Sequence, residues 1–365
     1  IIPYGTDLEQ RRRNFGLCLL NALFNTNAKI KVYWSETEKG LGVITGQHAV
    51  VENIKNFFEN NSSAAKLKNC IGKDVRISDR DGRDLGKRAF EAVFIEIVLC
   101  PLLDSFRTKN SLTVGDMLAE MTGQSNEPNS PLRAGNMMND LRKEVSKRLS
   151  IYVELREQNE PFHRMKYLNK MLESVETPFT CNLDADVLIT RSAVMDSIEK
   201  MRRTDIDFIY PYSDIDRAQI RVFPDQPGLS TLIRACVTGD FVPVMARVPH
   251  FIEGGEESWG VKFGLAFFAR TESYKKAYGE NENFVSWGPE DCERYHRFCK
   301  LGFKVGRVLE GYVFHIEHPR SIDSGSENPH FKNNLALWKR LQGLDAKDMI
   351  AYYENLDYVK QHKFG

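Results

Sequence analysis

The chain lacks an excess of charge of either sign, and it lacks a long apolar run. Its 365 residues include 50 Lys and Arg and 50 Asp and Glu, so the formal net charge is zero. Such a balance gives no broad positive surface of the kind that binds nucleic acids or anionic membranes. The most apolar stretch, 89–103, is shorter than a membrane span and is interrupted by two glutamates and a proline. We therefore expect no nucleic-acid partner and no membrane span in this chain.

Paired cysteines and a targeting segment are also missing. The seven cysteines are an odd number and include no Cys-x-x-Cys. Several lie in apolar runs, where they would serve as small core residues rather than as disulfide partners or zinc ligands. This usage favours a reducing compartment, so we expect a cytoplasmic location. No signal peptide is visible in the sequence, which opens on the strand-like residues 1–4. Peripheral membrane association and an anchor upstream of residue 1 both stay open.

Helical and strand patterns alternate in two parts of the chain. A helix at 11–24 lies between strand-like residues 1–4 and a strand at 30–34, which is how an α/β sheet begins. A strand at 150–154 and a helix at 162–172 resume the pattern. Further helices are predicted at 191–201, 290–301 and 332–353, and further strands at 177–183, 208–210, 261–268, 304–308 and 312–315. Residues 214–244 follow no clear pattern.

The residues between the two parts are too many for one sheet crossover. They have their own helical patterns, the clearest at 137–149, and a loop composition at 122–135. The sequence thus predicts one α/β domain made of 1–39 and 150–340, a large, mainly helical insertion at 40–149, and a C-terminal helical tail at 341–365.

Two aspartates one residue apart, Asp184 and Asp186, follow the predicted strand at 177–183. Their carboxylates would leave the sheet together at its edge. Neighbouring carboxylates repel each other unless a divalent cation lies between them or against one of them. Asp-x-Asp is also common in surface loops, so the pattern alone predicts either a metal site or a solvated loop.

A Trp-Gly-Pro turn at 287–289 precedes three acids in the first turn of a helix: Glu290, Asp291 and Glu293. Acidic residues at this position stabilise a helix through its dipole and need no further role. A carboxylate fixed there could instead take a proton from an attacking hydroxyl, as a general base does.

Two histidines lie at the end of the predicted strand at 312–315: His315 is its last residue, and His318 follows three residues later. One of them could complete the coordination of a hard divalent cation that otherwise binds carboxylate and phosphate oxygens. A structural role is the alternative, and zinc would find no nearby cysteine.

Two basic residues, Arg164 and Lys166, lie one strand before the aspartate pair. They could approach a diphosphate, and a solvated helix face explains them equally well.

In this order the motifs resemble the nucleotide-sugar glycosyltransferases of the GT-A fold. The second half is most similar to the galactosyltransferase-type carboxyl-terminal module. The resemblance covers residues 1–36 and 150–340, and its most specific part is the succession of Asp-x-Asp and Trp-Gly-x-Glu-Asp. It implies an α/β fold of GT-A type, with a Rossmann-like central mixed sheet flanked by helices.

The resemblance also implies a metal centre. Asp186 would bind the Mn²⁺ or Mg²⁺ ion that bridges the donor diphosphate, and His315 would be the later metal ligand. Asp184 would contact the ribose or help to hold the metal. Tyr312 stands where some members have a second metal ligand.

The remaining roles concern the reaction and the donor. Asp291 would be the base that deprotonates the acceptor hydroxyl, with Glu290 beside it orienting the acceptor or the donor sugar. Pro289 stands where galactosyltransferases often have glycine. The donor nucleotide sugar would be bound by Pro3, Tyr4, Glu36, Arg164, Lys166, Asp184 and Trp287.

These expectations describe a metal-dependent, inverting transferase with a UDP-sugar donor and a glycan or other acceptor. A metal ion and cationic side chains would stabilise the leaving diphosphate, and a single base would give inversion. A sugar-nucleotide nucleotidyltransferase is one alternative, although 3–7 contains no Gly-rich phosphate loop. A non-catalytic carbohydrate-binding protein of the same fold is the other. The insertion at 40–149 would recognise the acceptor, form an oligomer contact, or act only as a bulky cover.

Overall fold

The computed structural model describes residues 9–36, 148–155, 161–214, 218–223, 228–247, 263–319 and 325–365. The chain divides into two compact units. Unit 1 comprises Ile1–Glu160 and Pro224–Arg247, and unit 2 comprises Pro161–Phe223 and Val248–Gly365. Pro3, Tyr4 and the predicted insertion up to residue 147 lie outside the described residues. The predicted helix at 137–149 extends too far at its end, because Leu149 begins a strand.

The described elements are numbered here in chain order. They are α1 Glu9–Asn25, β1 Ile30–Glu36, β2 Leu149–Leu155, α2 Arg164–Glu173, β3 Phe179–Leu183, β4 Val187–Ile189, α3 Arg191–Arg203, β5 Phe208–Tyr210, β6 Gln219–Val222, α4 Leu229–Thr238, α5 Val242–Met245, β7 Ala266–Arg270, α6 Thr271–Lys276, α7 Glu290–Lys300, β8 Val305–Arg307, β9 Val313–Ile316, α8 Phe331–Gln342, α9 Ala346–Glu354 and α10 Asp357–His362.

Unit 1 is built on the parallel pair of β1 and β2. Helix α1 packs against α4, where the Asn25 side chain donates a hydrogen bond of 2.8 Å to the carbonyl oxygen of Cys236. The guanidinium of Arg148 donates to the carbonyl oxygens of Leu23 and Ala28, at 2.9 and 3.0 Å. These bonds join the end of α1 to the residue before β2.

Unit 2 contains two sheets among its described residues. The first has the order β3-β7-β5-β8, with antiparallel pairs except between β5 and β8. The second has the order β4-β9-β6, with β4 antiparallel and β6 parallel to β9. Both sheets are mixed and are accompanied by helices, so the predicted mixed α/β class is confirmed.

The core of unit 2 is aromatic. Phe208 on β5 stacks on Phe298 of α7, with ring centroids 3.5 Å apart. The terminal helices contribute Met349, Tyr353 and Tyr358 to the same buried cluster. Burial of this apolar surface is the main force that holds these helices against the sheet. The segment predicted as a C-terminal tail is therefore part of the packed core of unit 2.

Most predicted elements are present, and the differences have local causes. Strand β7 starts at Ala266, later than predicted, because Leu265 has a left-handed backbone (φ 70°) that extended residues do not adopt. Helix α2 starts at Arg164 because the Nδ1 atom of His163 accepts a hydrogen bond from the backbone N–H of Lys166. The stretch without a clear pattern, 214–244, contains β6, α4 and α5.

No helix in the part of the chain that the structure describes has the length and apolar character needed to cross a membrane.

Candidate metal and acid–base site

The aspartate pair lies in the short connection between the two sheets of unit 2. Strand β3 ends at Leu183 and β4 begins at Val187. The backbone N–H of Asp184 donates to the carbonyl of Leu265 at 2.9 Å, which ties the turn to the residue before β7. The backbone N–H of Ile316 donates to the carbonyl of Asp186 at 2.8 Å, which ties it to β9. The turn is thus tied to β9 and to the residue that precedes β7.

A carboxylate and two imidazoles converge at Asp186. Its Oδ2 atom lies 2.9 Å from Nε2 of His318, and its Oδ1 atom lies 3.8 Å from Nε2 of His315. One donor atom from each of the three residues falls within 4.8 Å of the other two. One carboxylate oxygen and two imidazole nitrogens are a donor set that suits a divalent transition metal. The three residues therefore fit a metal ion on the chemistry of their donor atoms.

A supporting pair orients His315. Its Nδ1 atom lies 3.2 Å from Oε1 of Glu317, which also accepts a 2.7 Å hydrogen bond from Nε of Arg221. Burial would raise the pKa of Glu317, but these two bonds outweigh it and lower the pKa to about 2. A carboxylate that accepts the Nδ1 proton leaves Nε2 of the imidazole for a metal ion. Burial lowers the pKa of His315, while Asp186 and Glu317 outweigh burial and raise it.

Asp184 does not join this group, because its carboxylate is bound by the guanidinium of Arg164. Nη1 of the same guanidinium lies 3.6 Å from Oε1 of Glu290 and 3.9 Å from Oδ1 of Asp291. Burial raises the pKa of Asp184 to about 6 even though Arg164 opposes the shift. The three acids outweigh the burial of Arg164 and raise its pKa. Arg164 is thus a shared cation between the aspartate turn and the start of α7.

The turn before α7 is locked by α8. Nδ2 of Asn334 donates to the carbonyl oxygens of Val285 and Trp287, at 2.8 and 3.2 Å. The indole of Trp287 stacks on Phe331, with ring centroids 5.4 Å apart. A Cβ atom at Gly288 would lie 2.9 Å from the Asn334 side chain, so glycine is the residue that fits here. These contacts fix the direction in which α7 presents its first acids.

The two acids at the start of α7 are in different environments. Glu290 is only 5% exposed, and its Oε2 atom has no hydrogen-bond partner among the described residues. Burial, followed by the charge of Asp291, raises the pKa of Glu290 to about 8, which favours the protonated form of this carboxyl group. Asp291 is bound through Oδ1 by the guanidinium of Arg294. One group is poised as a proton donor and the other as a paired carboxylate.

The structure brings six of the predicted site residues together in unit 2, namely Arg164, Asp184, Asp186, Glu290, Asp291 and His315. Trp287 lies in the turn directly before the acid pair, and Lys166 lies beside His163 in the first turn of α2. Glu36 ends β1 in unit 1, and its side chain lies outside the description.

The site has two contributors beyond the predicted set: His318, which the sequence offered only as an alternative to His315, and Arg294, which it did not single out. The His-x-x-His spacing was visible, but β9 ends at Ile316, so alternation along a strand does not reveal that both imidazoles approach Asp186. Arg294 follows Asp291 by three residues, a spacing that does place two side chains on one helix face.

One segment of unit 2 matches a known protein family. Residues 255–319 match the family model described as the N-terminal domain of galactosyltransferase. The matched segment contains the Trp-Gly-Pro turn, both acids at the start of α7, and both histidines. The galactosyltransferase resemblance is confirmed. The predicted enzyme class, a glycosyltransferase, is confirmed with it.

The similarity to solved structures is low, and no curated protein matches. Among solved structures, the chain is similar to the mannosyltransferase PcManGT from Pyrobaculum calidifontis in complex with GDP-Man and Mn²⁺. The identity is 12%, the TM-score is 0.30, and the match covers 66% of this chain and 71% of that chain. A likeness this low transfers neither a ligand nor a reaction.

Proposed function

We propose that unit 2 contains a metal-dependent, inverting glycosyltransferase site that moves a sugar from a nucleoside diphosphate, preferably UDP, to a hydroxyl of a glycan or other acceptor. The observation that carries this proposal is the position of Arg164. Its guanidinium contacts Asp184 in the aspartate turn and lies within 4 Å of Glu290 and Asp291 at the start of α7. The aspartate turn, which we propose binds the donor, and the proposed acid–base pair thus lie against the same guanidinium.

Asp186, His315 and His318 would hold the metal ion. Two imidazole ligands favour Mn²⁺ over Mg²⁺, which prefers oxygen ligands. The bound ion would supply Lewis-acid stabilisation of the leaving diphosphate. The carboxylate of Asp184 is bound by Arg164. Asp184 would therefore contact the ribose of the donor, or hold Arg164 in place, rather than bind the metal ion.

The acid pair would act on the acceptor. Asp291 would take the proton of the acceptor hydroxyl as general base. The protonated carboxyl group of Glu290 would donate a hydrogen bond to a substrate oxygen, and its buried, unpaired Oε2 atom is consistent with such a partner. A single base on the face opposite the leaving group leads to inversion at the anomeric carbon.

Further donor contacts are proposed from the resemblance. Arg164, with Lys166 on the same helix, would face the diphosphate, and Trp287 would contact the donor from its fixed turn. Pro3, Tyr4 and Glu36 are proposed for the nucleoside pocket on the resemblance alone.

A donor panel tests the proposal. The purified chain is incubated with Mn²⁺ and single UDP- and GDP-sugars, and released nucleoside diphosphate is measured. We expect release from one donor, loss of release on addition of a chelator, and loss of release in Asp186→Ala. The matched control is Asp196→Ala, which removes an exposed aspartate of α3 in the same unit. No release from any donor, or release that persists with chelator and in Asp186→Ala, would contradict the proposal.

A further inference from the structure

An arginine that the proposed reaction has not used lies directly behind the base. Arg294 is on α7, one turn after Asp291, and its side chain is 1% exposed. Its Nη2 atom donates to Oδ1 of Asp291 and, at 3.1 Å, to the carbonyl oxygen of Phe263. Its guanidinium carbon lies 4.4 Å from the centre of the Phe267 ring. The guanidinium of Arg294 is therefore buried, and these contacts fix its orientation.

Glu280 holds the other end of this guanidinium. Nη1 of Arg294 lies 3.0 Å from Oε1 and 3.1 Å from Oε2 of Glu280, whose side chain is also 1% exposed. Oε1 of Glu280 accepts a further hydrogen bond from the Tyr274 hydroxyl, and that hydroxyl accepts from Nδ2 of Asn182 on β3 at 2.8 Å. The chain of bonds thus runs from the base to the strand that carries the aspartate turn.

A second connection fixes Glu280 to the helix that carries Arg164. The backbone N–H of Glu280 donates to Oδ1 of Asn169 at 2.7 Å, and Nδ2 of Asn169 donates to the carbonyl of Glu280 at 2.9 Å. Asn169 is fully buried on α2. Glu280 is therefore positioned by both elements that shape the donor side of the site.

Stability alone is a poor explanation for this arrangement. Burying an arginine and a glutamate removes two charges from water, and such pairs often contribute no more than apolar residues of the same volume. The same helix has a second buried pair of this kind, Arg297 with Glu293, at 2.9 Å. That pair contacts the carbonyl of Ala277 and the ring of Tyr353 in the core, and its hydrogen bonds and ion pairs within the described part of the chain do not include Asp291. Arg297 is thus a natural control for burial without contact to the base.

We propose that Arg294, held by Glu280, is the positioning residue for Asp291. This inference rests on the proposed function. The contacts of Asp291 with Arg294 and Arg164 both use Oδ1, which leaves Oδ2 to take the proton. In the reaction, the acceptor O–H proton passes to Asp291, the acceptor oxygen bonds to the anomeric carbon, and the bond from that carbon to the diphosphate oxygen breaks with its electron pair on the diphosphate. A planar guanidinium can join Glu280 and Asp291 in fixed directions, which a lysine ammonium cannot.

Arg294→Lys tests the proposal against Arg297→Lys. Both variants keep a buried positive charge and lose the planar set of guanidinium donors, so both should lower the melting temperature. Only Arg294→Lys should lower kcat per folded molecule, by about 10²-fold, because a small displacement of the reacting group has an effect of that size. Donor KM and Mn²⁺ affinity should stay within about twofold of wild type, since neither depends on the base. Glu280→Gln, which leaves Asp291 untouched, should lower kcat in the same direction.

The double variant Arg294→Lys/Asp291→Asn separates positioning from a general structural effect. A residue that acts through Asp291 should add no further loss of kcat once the base is gone. The proposal is overturned if Arg294→Lys and Arg297→Lys have equal kcat per folded molecule, or if the losses of Arg294→Lys and Asp291→Asn multiply.

The two proposals fail in different ways. If wild type transfers no sugar, or if Asp291→Asn keeps wild-type turnover, the proposed function is wrong. If wild type is active, Asp291→Asn has only a small residual turnover and Arg294→Lys is unimpaired, only the positioning role is wrong.

Discussion

Burial raises the pKa of the Glu290 carboxyl group, so replacement of this residue by glutamine should stabilise the protein near neutral pH. Its side chain is almost wholly buried, and burial together with the neighbouring Asp291 raises its pKa from 4.5 to about 8. Arg164 opposes this shift without reversing it. Glutamine has nearly the same shape as a protonated glutamate and cannot ionise, so Glu290→Gln removes the titration and leaves the packing.

The sign and size follow from proton linkage. Between pH 4.5 and about 8, the unfolded chain has released the proton of Glu290 and the folded chain still binds it. The folded state thus binds more protons, so this group lowers the free energy of unfolding as pH rises. The slope is about 1.4 kcal/mol per pH unit, which gives an upper bound on the order of 4 kcal/mol at pH 7.5. Below pH 4.5 both states are protonated and the contribution vanishes.

Thermal unfolding from pH 4.5 to 8 measures this difference. We expect the melting temperature of Glu290→Gln to match wild type at the acid end and to exceed it increasingly towards pH 8. Each kcal/mol corresponds to about 2–4 °C for a unit of this size. The matched control is Glu310→Gln, an exposed glutamate of unit 2, whose curve should run parallel to wild type. Parallel curves for Glu290→Gln and wild type, or a gap that narrows as pH rises, would refute the reasoning.

Two further predictions concern the metal group and the turn before α7. His318→Ala should weaken Mn²⁺ binding by at least about tenfold in calorimetric titration. The control is His330→Ala, which changes a histidine outside the proposed metal site and should leave Mn²⁺ affinity unchanged. Equal affinities in the two variants would remove His318 from the proposed ligands. Gly288→Ala should lower the free energy of unfolding by about 1–3 kcal/mol, because its Cβ atom would lie 2.9 Å from Asn334, and a denaturation midpoint equal to wild type would contradict the tight fit.

Local patterns were enough to predict the elements that carry the site. The strand before Asp184 and the acidic first turn of α7 follow from apolar runs, turn residues and helix-dipole preference, all of which are properties of neighbouring residues. The structure contains both, with β3 at Phe179–Leu183 and α7 from Glu290. The prediction of a mixed α/β fold rests on the same signals.

Contacts between distant parts of the chain could not be predicted in this way. Arg164 and Asp184 are twenty residues apart, and Arg164 could equally have lain on a solvated helix face. The ion pair between Arg164 and Asp184 depends on how α2 packs against the sheet. The single central sheet implied by the resemblance is divided in the described part of unit 2 into two sheets, and strand pairing of this kind is set by packing rather than by local preference.

The central claim, a metal-bound donor opposite a base, is tested most directly by comparing Asp186→Ala with Asp291→Asn. The measurement is sugar transfer together with the affinity for the donor in the presence of Mn²⁺. Both variants should lose turnover, and only Asp186→Ala should lose donor affinity, since the metal binds the diphosphate and the base acts on the acceptor. Full turnover in Asp291→Asn, or equal loss of donor affinity in both variants, would contradict the account.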